Sequence, residues 1–155
     1  MKGMQRFVCF FLLCVCFYLL CSCATGTGRV VHQQYRKENH WELLEKARIK
    51  IQEVRVSRSL DAEKIEENTR YVLSLLFQKR NEGKTDVPPL SLHVSLKEDS
   101  FLQEFRPWNA VTVEITLFDG ATIVYAGLLT EETESTLASY PYLYTLLERT
   151  TREVR

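Results

Sequence analysis

Three stretches in the second half of the chain alternate between apolar and polar residues, over 90–97, 111–117 and 122–129. A period of two places all the apolar side chains on one face of an extended strand. Each stretch therefore predicts a strand with one buried face and one polar face. This pattern limits the possible folds strongly, because the three apolar faces must be covered by a common core.

Asp119-Gly120 separates the second stretch from the third. Asp-Gly between two alternating runs predicts a hairpin with a two-residue type I′ turn, because both central positions of that turn have a positive φ. Such a turn would pair Leu117 with Thr122 and Ile115 with Val124, so that the apolar faces of the two strands coincide.

Helical periodicity flanks these strands. Between Asp61 and Asn81 the apolar residues recur every three or four positions, with acidic residues near the start and basic residues near the end. This pattern predicts a helix that is capped by Asp61 or Ser59. A last helix is predicted after Ser139, which can cap it, with Pro141 in its first turn.

Residues 47–56 alternate less regularly, with a change of phase near Glu53. We expect a first strand with a bulge at that point. A continuous helix from Trp41 to Val54 also fits the apolar positions, and residues 41–46 alone fit a short helix or a lead-in.

The predicted order is strand, helix, three strands, helix. We therefore expect an α+β fold with a four-stranded, mainly antiparallel sheet and two helices packed on one face, in the order β-α-β-β-β-α. Placing both helices on one face is the simplest arrangement that buries their apolar stripes and the apolar faces of the strands.

Residues 1–23 have a different composition from the rest of the chain. Lys2 and Arg6 give a positive start, the run from Phe7 to Leu20 contains only apolar residues and cysteines, and Ser22-Cys23 follows shortly after. Positive charge, an apolar run and a small residue in this order are typical of an export signal. The run is shorter than the ~20 apolar residues that cross a bilayer.

A leader of this shape that ends in Leu20-Cys21-Ser22-Cys23 resembles the lipobox signal of bacterial lipoproteins. The resemblance implies cleavage before Cys23, a diacylglycerol on its sulfur and palmitate-type acylation of the new amino terminus. It also implies a lipid anchor in the cell envelope, and Ala24 favours the periplasmic face of the outer membrane over the inner membrane. An ordinary secretory signal and an uncleaved membrane anchor are the alternatives.

The organisation that follows is a signal peptide at 1–22, a lipidated cysteine with a flexible tether at 23–40, and a single α+β domain at 41–155. The tether is polar and contains Thr-Gly-Thr-Gly, a composition that does not bury enough surface to fold. Without the two basic residues of the leader, 18 basic and 20 acidic residues remain, so no basic footprint for nucleic acid is present. All five cysteines lie within residues 9–23, and the predicted domain has no disulfide.

The strongest candidate for a binding surface is the segment 98–109. Phe101, Phe105 and Trp108 crowd a connection between two predicted strands, together with Arg106. One interpretation is that these side chains fold over the end of the sheet and complete the core. The other is a contact surface for a partner protein, because aromatic residues and arginine commonly anchor interfaces.

A second aromatic cluster lies at 139–144, near the start of the last predicted helix. Core packing and a surface for a lipid or a glycan are the two interpretations of this cluster.

The sequence contains no recognisable catalytic arrangement. The nucleophile-elbow pattern Gly-x-Ser-x-Gly and glycine-rich phosphate loops are absent. His32 and His40 lie in the predicted tether and His93 on the polar face of a strand, a distribution that predicts no metal site. We therefore expect a protein without enzymatic activity, metal or cofactor.

On a small lipid-anchored chain, this order of elements is similar to that of several envelope-assembly lipoproteins. The resemblance implies a docking or accessory role in an envelope complex, with contacts to the membrane through the lipid and to an envelope protein. Two further hypotheses stay open: a carrier for a lipid or small apolar ligand, and a surface-exposed adhesin or antigen.

Overall fold

The computed structural model describes residues 30–57, 59–84 and 87–154. Within them, eight elements follow one another: β1 (Val30–Arg36), α1 (His40–Lys46), β2 (Ile49–Ser57), α2 (Ala62–Asn81), β3 (Leu90–Gln103), β4 (Arg106–Asp119), β5 (Thr122–Thr133) and α3 (Tyr140–Thr151). The strands form one sheet in the order β1-β5-β4-β3-β2. Neighbouring strands are antiparallel except β2 and β3, which are parallel because the chain crosses back through α2 between them.

The α+β class and the order of elements from β2 to α3 agree with the prediction, but the four-stranded sheet is wrong. The fifth strand is β1, which pairs with β5 along its whole length. Side chains 32–36 are exposed, because β1 forms an edge of the sheet. A polar edge strand lacks the apolar alternation that identifies the other strands. β1 overlaps the predicted tether at 23–40, of which residues 23–29 lie outside the described part of the chain.

The core lies between one face of the sheet and the helices α2 and α3. Along most of β3 and β4 every second residue is buried, and these side chains pack against an apolar stripe on each helix. The buried apolar residues of the two helices are Ile65, Val72, Leu73 and Phe77 of α2 and Leu143, Leu146 and Leu147 of α3. The short helix α1 is also confirmed and adds Leu44 to the core, so the longer helix that would continue into β2 is wrong.

The structure confirms where two of the predicted helices begin and where the predicted bulge lies. α2 begins after Asp61, and α3 begins after Ser139 with Pro141 in its first turn. Neither Asp61 nor Ser139, however, makes a capping hydrogen bond with its side chain. The pairing of β2 with β3 shifts between Ile51 and Glu53, which confirms the bulge.

The β4–β5 hairpin forms with a different turn from the predicted one. Asp119 pairs with Thr122, so the two turn residues are Gly120 and Ala121. Of these two residues only Gly120 has a positive φ, of 58°, whereas a type I′ turn requires two.

A bulge in β5 then changes which of its side chains face the core. Leu117 lies opposite Tyr125 rather than opposite Thr122. Because a shift by one residue turns each later side chain to the other face, Tyr125 and Leu129 are buried in the core. Leu128, which the predicted register would bury there, is half-buried on the opposite face.

Candidate docking surface

β3 and β4 run past the ends of their neighbours and form a hairpin that projects from the sheet. β3 pairs with β2 only as far as Lys97, and β4 pairs with β5 only as far as Asn109. Among the described residues, β3 and β4 pair only with each other beyond these points, up to Gln103 and Arg106. At about 3.4 Å per residue, the turn lies ~14 Å beyond Asn109. Residues 100–109 are called the projecting hairpin below.

The turn of the projecting hairpin consists of Glu104 and Phe105. Their φ angles are 51° and 63°, so both residues lie in the left-handed region, as in a type I′ turn. Asn-Gly or Asp-Gly is the usual choice for this turn, because a Cβ in the left-handed conformation costs roughly 1–2 kcal/mol per residue. A bulky residue such as Phe with a positive φ is an outlier, and backbone outliers cluster at functional sites.

The apolar side chains of the projecting hairpin are exposed to solvent. Phe105 is fully exposed, and Leu102 and Phe101 keep 77% and 36% of their accessible surface. Trp108 is half-buried and lies opposite Phe101, and Arg106 is exposed beside the turn. The structure therefore places the four residues singled out in the sequence on one hairpin. The interpretation that they complete the core is wrong for Phe101 and Phe105.

Polar side chains that sequence reasoning missed hold the base of the hairpin. The amide of Asn109 is buried; it accepts a hydrogen bond from the Ser100 hydroxyl at 2.7 Å and donates one to the carbonyl of Ser135 at 2.9 Å. Glu98 is also buried and accepts a hydrogen bond from the backbone N–H of Leu137 at 2.9 Å. Both sets of contacts reach the connection between β5 and α3, so the hairpin is held in place by the rest of the domain.

The projecting hairpin and the start of β1 lie at the same end of the sheet. Val30, the first residue of β1, pairs with Glu131 of β5. Two positions further along β5, Thr133 pairs with Asn109 at the base of the hairpin. The chain before residue 30 therefore joins the domain at the hairpin end. The predicted lipidation site, Cys23, lies outside the described residues.

The second aromatic cluster contributes mainly to the packing of α3. The half-buried Tyr142 donates a hydrogen bond from its hydroxyl to the Glu131 carboxylate at 2.8 Å, and Arg149 donates to the other carboxylate oxygen at 2.5 Å. Burial and the hydrogen bond to Glu131 raise the pKa of Tyr142. Tyr144 also packs against the core, whereas Tyr140 keeps 40% of its accessible surface.

The three histidines lie on different elements and make separate contacts. His93 Nδ1 is 3.0 Å from a carboxylate oxygen of Glu53, His40 Nδ1 is 2.8 Å from the carbonyl of Lys37, and His32 lies on β1. Among the described residues, the His, Cys, Asp and Glu side chains form no group of three or more that could hold a metal ion. Within the same part of the chain, no helix combines the length and the apolar composition that a membrane crossing needs.

No family model matches the sequence, and no curated protein matches it. Among solved structures, the chain is similar to PelC from Paraburkholderia phytofirmans. A structure of the PelC dodecamer is 14% identical with a TM-score of 0.42, and a structure of a single-substitution variant of that dodecamer is 16% identical with the same TM-score. Each match covers 81% of this chain and 97% of the PelC chain.

Proposed function

We propose that this protein is a lipid-anchored, non-enzymatic docking factor of the cell envelope, and that it binds an envelope protein through the projecting hairpin. The observation that carries the proposal is the full exposure of Phe105 in a backbone conformation that disfavours it. Neither the core nor the turn requires a phenylalanine at this position. Its ring is therefore available to a partner.

The composition of the hairpin fits a protein interface. The hairpin offers aromatic surface from Phe101, Phe105 and Trp108 and a positive charge at its rim from Arg106. Aromatic residues and arginine are enriched among the residues that contribute most to the binding energy of interfaces. Full burial of an exposed Phe or Leu side chain contributes about 1.5–3 kcal/mol. The hairpin is already held at its base by Glu98 and Asn109, so little additional ordering would oppose binding.

Glu104 favours a protein over a bilayer as the occupant of this surface. Its side chain is exposed and adjacent to Phe105 in the turn. Insertion of the turn into hydrocarbon would bury this charge at a cost of roughly 2.5 kcal/mol or more. A protein surface can pair the carboxylate with a basic side chain while it buries the neighbouring ring.

The lipid anchor and the hairpin would act on the same side of the domain. In this proposal Cys23 carries the lipid at the periplasmic face of the outer membrane, and the segment up to Val30 spans at most ~25 Å. Val30 lies at the hairpin end of the sheet. The partner would therefore present its docking surface close to the membrane.

The test of this function is crosslinking in intact cells, followed by capture of the lipidated protein and mass spectrometry. Phe105→Ala combined with Trp108→Ala should fold normally and lose the partner. The matched control is Tyr71→Ala, which removes a ring of 56% exposure from α2 and should retain the partner. Equal recovery of the partner with both variants would contradict the docking role.

The lipid anchor is tested separately. Cys23→Ala should leave an unprocessed precursor that carries no lipid, because the acceptor sulfur is lost. Normal processing and normal extraction of this variant with the membrane fraction would contradict the anchor and leave the docking role to be judged by the hairpin variants alone.

A further inference from the structure

Strand β1 leaves one edge of the sheet open. β1 pairs with β5 over all seven of its residues without a shift in register, and no strand of the described residues lies on its other side. The N–H and C=O groups along such an edge are free to pair with another strand.

One hydrogen bond shows which residues of β1 direct their backbone groups to the open edge. Lys37, directly after β1, donates its N–H to the carbonyl of Val124 in β5 at 3.0 Å. Along an antiparallel pair of strands, successive residues alternate between bonding to the partner strand and facing away from it. Counting back from Lys37, the odd-numbered residues of β1 bond to β5. The outward-facing residues are Val30, His32, Gln34 and Arg36.

The two edges of the sheet differ in how they are protected. β2, at the opposite edge, has a bulge between Ile51 and Glu53 and exposed charges at Lys50 and Arg55. Bulges and charged side chains are devices that keep edge strands from pairing with other chains. The central part of β1, residues 31–35, contains neither a bulge nor a Lys, Arg, Asp or Glu side chain. The edge at β1 is therefore the one that can accept a further strand.

We propose that β1 pairs with β1 of a second copy of this chain, antiparallel and about a twofold axis at Gln33, so that the two sheets join into one. This register pairs the whole strand and places His32 opposite Gln34 of the second copy. Both are outward-facing residues, so each of the two equivalent pairs exchanges two backbone hydrogen bonds. A twofold contact of one surface with itself is the commonest way in which identical chains associate.

The side chains of β1 are compatible with this register. Residues that lie opposite each other share a face of the sheet. Tyr35, which is 56% exposed in the single chain, lies opposite Val31 of the second copy, and aromatic and β-branched residues pair favourably across strands. On the other face, Gln34 lies opposite His32. Within one chain their Nε2 atoms are already 3.1 Å apart, so the same two groups can hydrogen-bond across the axis.

This association is independent of the docking surface and does not rest on the proposed function. β5 lies between β1 and the two strands of the projecting hairpin, so pairing at β1 leaves Phe105 exposed. Because the two copies of β1 are antiparallel, the two hairpins would point in opposite directions. A dimer would therefore offer two docking surfaces instead of one.

Disulfide trapping of the full chain in membranes tests the register. In the proposed dimer the two Gln33 residues form a non-hydrogen-bonded pair with Cα atoms about 4.5 Å apart, within the roughly 4.4–6.8 Å that a disulfide requires. Gln33→Cys should therefore give a crosslinked dimer on mild oxidation. Tyr35→Cys is the matched control and should not, because its two copies lie four positions apart, at ~13 Å. The cysteines of residues 9–23 are common to all variants, so the unchanged protein gives the baseline.

A mixed experiment tests the same register through a second pair. When Val31→Cys and Tyr35→Cys are produced together with different tags, the two different chains should be linked to each other. Val31→Cys alone should remain uncrosslinked, because its two copies also lie four positions apart.

Proline substitutions test whether backbone hydrogen bonds hold the dimer. Gln34→Pro removes an N–H that faces outward, a position at which edge strands tolerate proline. In sedimentation of the purified chain in detergent, the dimer should be lost, while the melting temperature of the monomer at low concentration stays unchanged. Gln33→Pro is the control, because it removes an N–H that bonds to β5 and should lower that melting temperature.

Three results would overturn the proposal. These are equal crosslinking of Gln33→Cys and Tyr35→Cys, no crosslinking above the baseline, and a dimer that persists in Gln34→Pro. A chain that is monomeric on its own, but loses an envelope protein when Gln34→Pro is introduced, would assign the edge to a foreign strand instead of a second copy. Phe105→Ala combined with Trp108→Ala should keep the Gln33→Cys crosslink, so a failure of docking and a failure of the dimer are distinguishable.

Discussion

Phe105→Gly separates the structural role of the hairpin turn from its role in binding. Glycine relieves the left-handed strain at this position, worth roughly 1–2 kcal/mol, but adds about 0.5–1 kcal/mol of backbone entropy to the unfolded chain. The ring is fully exposed, so its removal gives up no buried surface. The domain should therefore become more stable by about 0.5–1 kcal/mol, and its melting temperature should rise by roughly 2–5 °C.

Phe105→Ala is the matched variant for this comparison. Alanine removes the same ring but keeps a Cβ at the positive φ, so the strain remains and the stability should change by less than about 0.5 kcal/mol. Both variants should lose the partner in crosslinking and capture from intact cells. A gain in stability that coincides with a loss of binding is the expected signature of a strained functional residue.

Thermal and denaturant unfolding of the two variants provide the assay. If Phe105→Gly is destabilised by more than about 1 kcal/mol, the ring packs against the domain. The expected gain in stability from relief of the left-handed strain is then refuted. If both variants keep the partner at the level of the unchanged protein, Phe105 has no role in docking.

Three further predictions concern the domain itself. Gly127→Ala should destabilise it by about 1–3 kcal/mol in denaturant titrations, because the new Cβ would lie 2.9 Å from the Tyr125 hydroxyl oxygen; Tyr125→Phe should restore part of that loss. Asn109→Ala should cost about 1–3 kcal/mol and speed amide hydrogen exchange in residues 100–109, since it releases the base of the hairpin. The pKa of Tyr142 is raised in the folded state, so its contribution to stability is complete below the unfolded value of about 10 and is lost as the pH rises above it. Tyr142→Phe should flatten that alkaline loss in a pH series of melting temperatures.

A different result would contradict each of these three predictions. An unchanged stability of Gly127→Ala would mean that the Tyr125 side chain does not lie as close to Gly127 as described. Unchanged hydrogen exchange in Asn109→Ala would show that the hairpin is held by its strand pairing alone. An identical alkaline loss with and without the Tyr142 hydroxyl would attribute that loss to other groups.

Periodicity predicts the elements that bury a face of their own. α2, β3 and the main part of β4 each carry an apolar stripe that the core must cover, so their positions follow from the spacing of side chains alone. β1 carries no such stripe. Backbone hydrogen bonds to β5 hold it at the edge of the sheet, and these are available to almost any sequence.

Turn residues are less informative than the pattern around them. Asp119-Gly120 predicts two positive φ angles, but the turn uses Gly120 and Ala121, and the bulge that follows in β5 has no signature in the sequence. The projecting hairpin, by contrast, forms a tight turn without the residues that usually predict one. Glu104-Phe105 adopts two positive φ angles without a glycine, so the hairpin is not visible as a turn signal.

The sequence predicts the aromatic residues of the candidate site. It does not predict the buried polar residues that hold the hairpin at its base. Phe101, Phe105 and Trp108 attract notice because aromatic residues are unusual in a connection between strands. Glu98 and Asn109 continue the buried phase of β3 and β4, but their side chains are polar, so a pattern of apolar residues alone ends before them. Their hydrogen bonds join segments that are distant in the sequence, which only the fold brings together.

The most direct test of docking is site-specific photo-crosslinking in intact cells from the tip of the hairpin. A photoreactive phenylalanine analogue in place of Phe105 should give one dominant adduct with a single envelope protein, and the same analogue in place of Tyr71 should give none. Equal adducts from both positions, or adducts with lipid alone from the hairpin, would contradict the central claim.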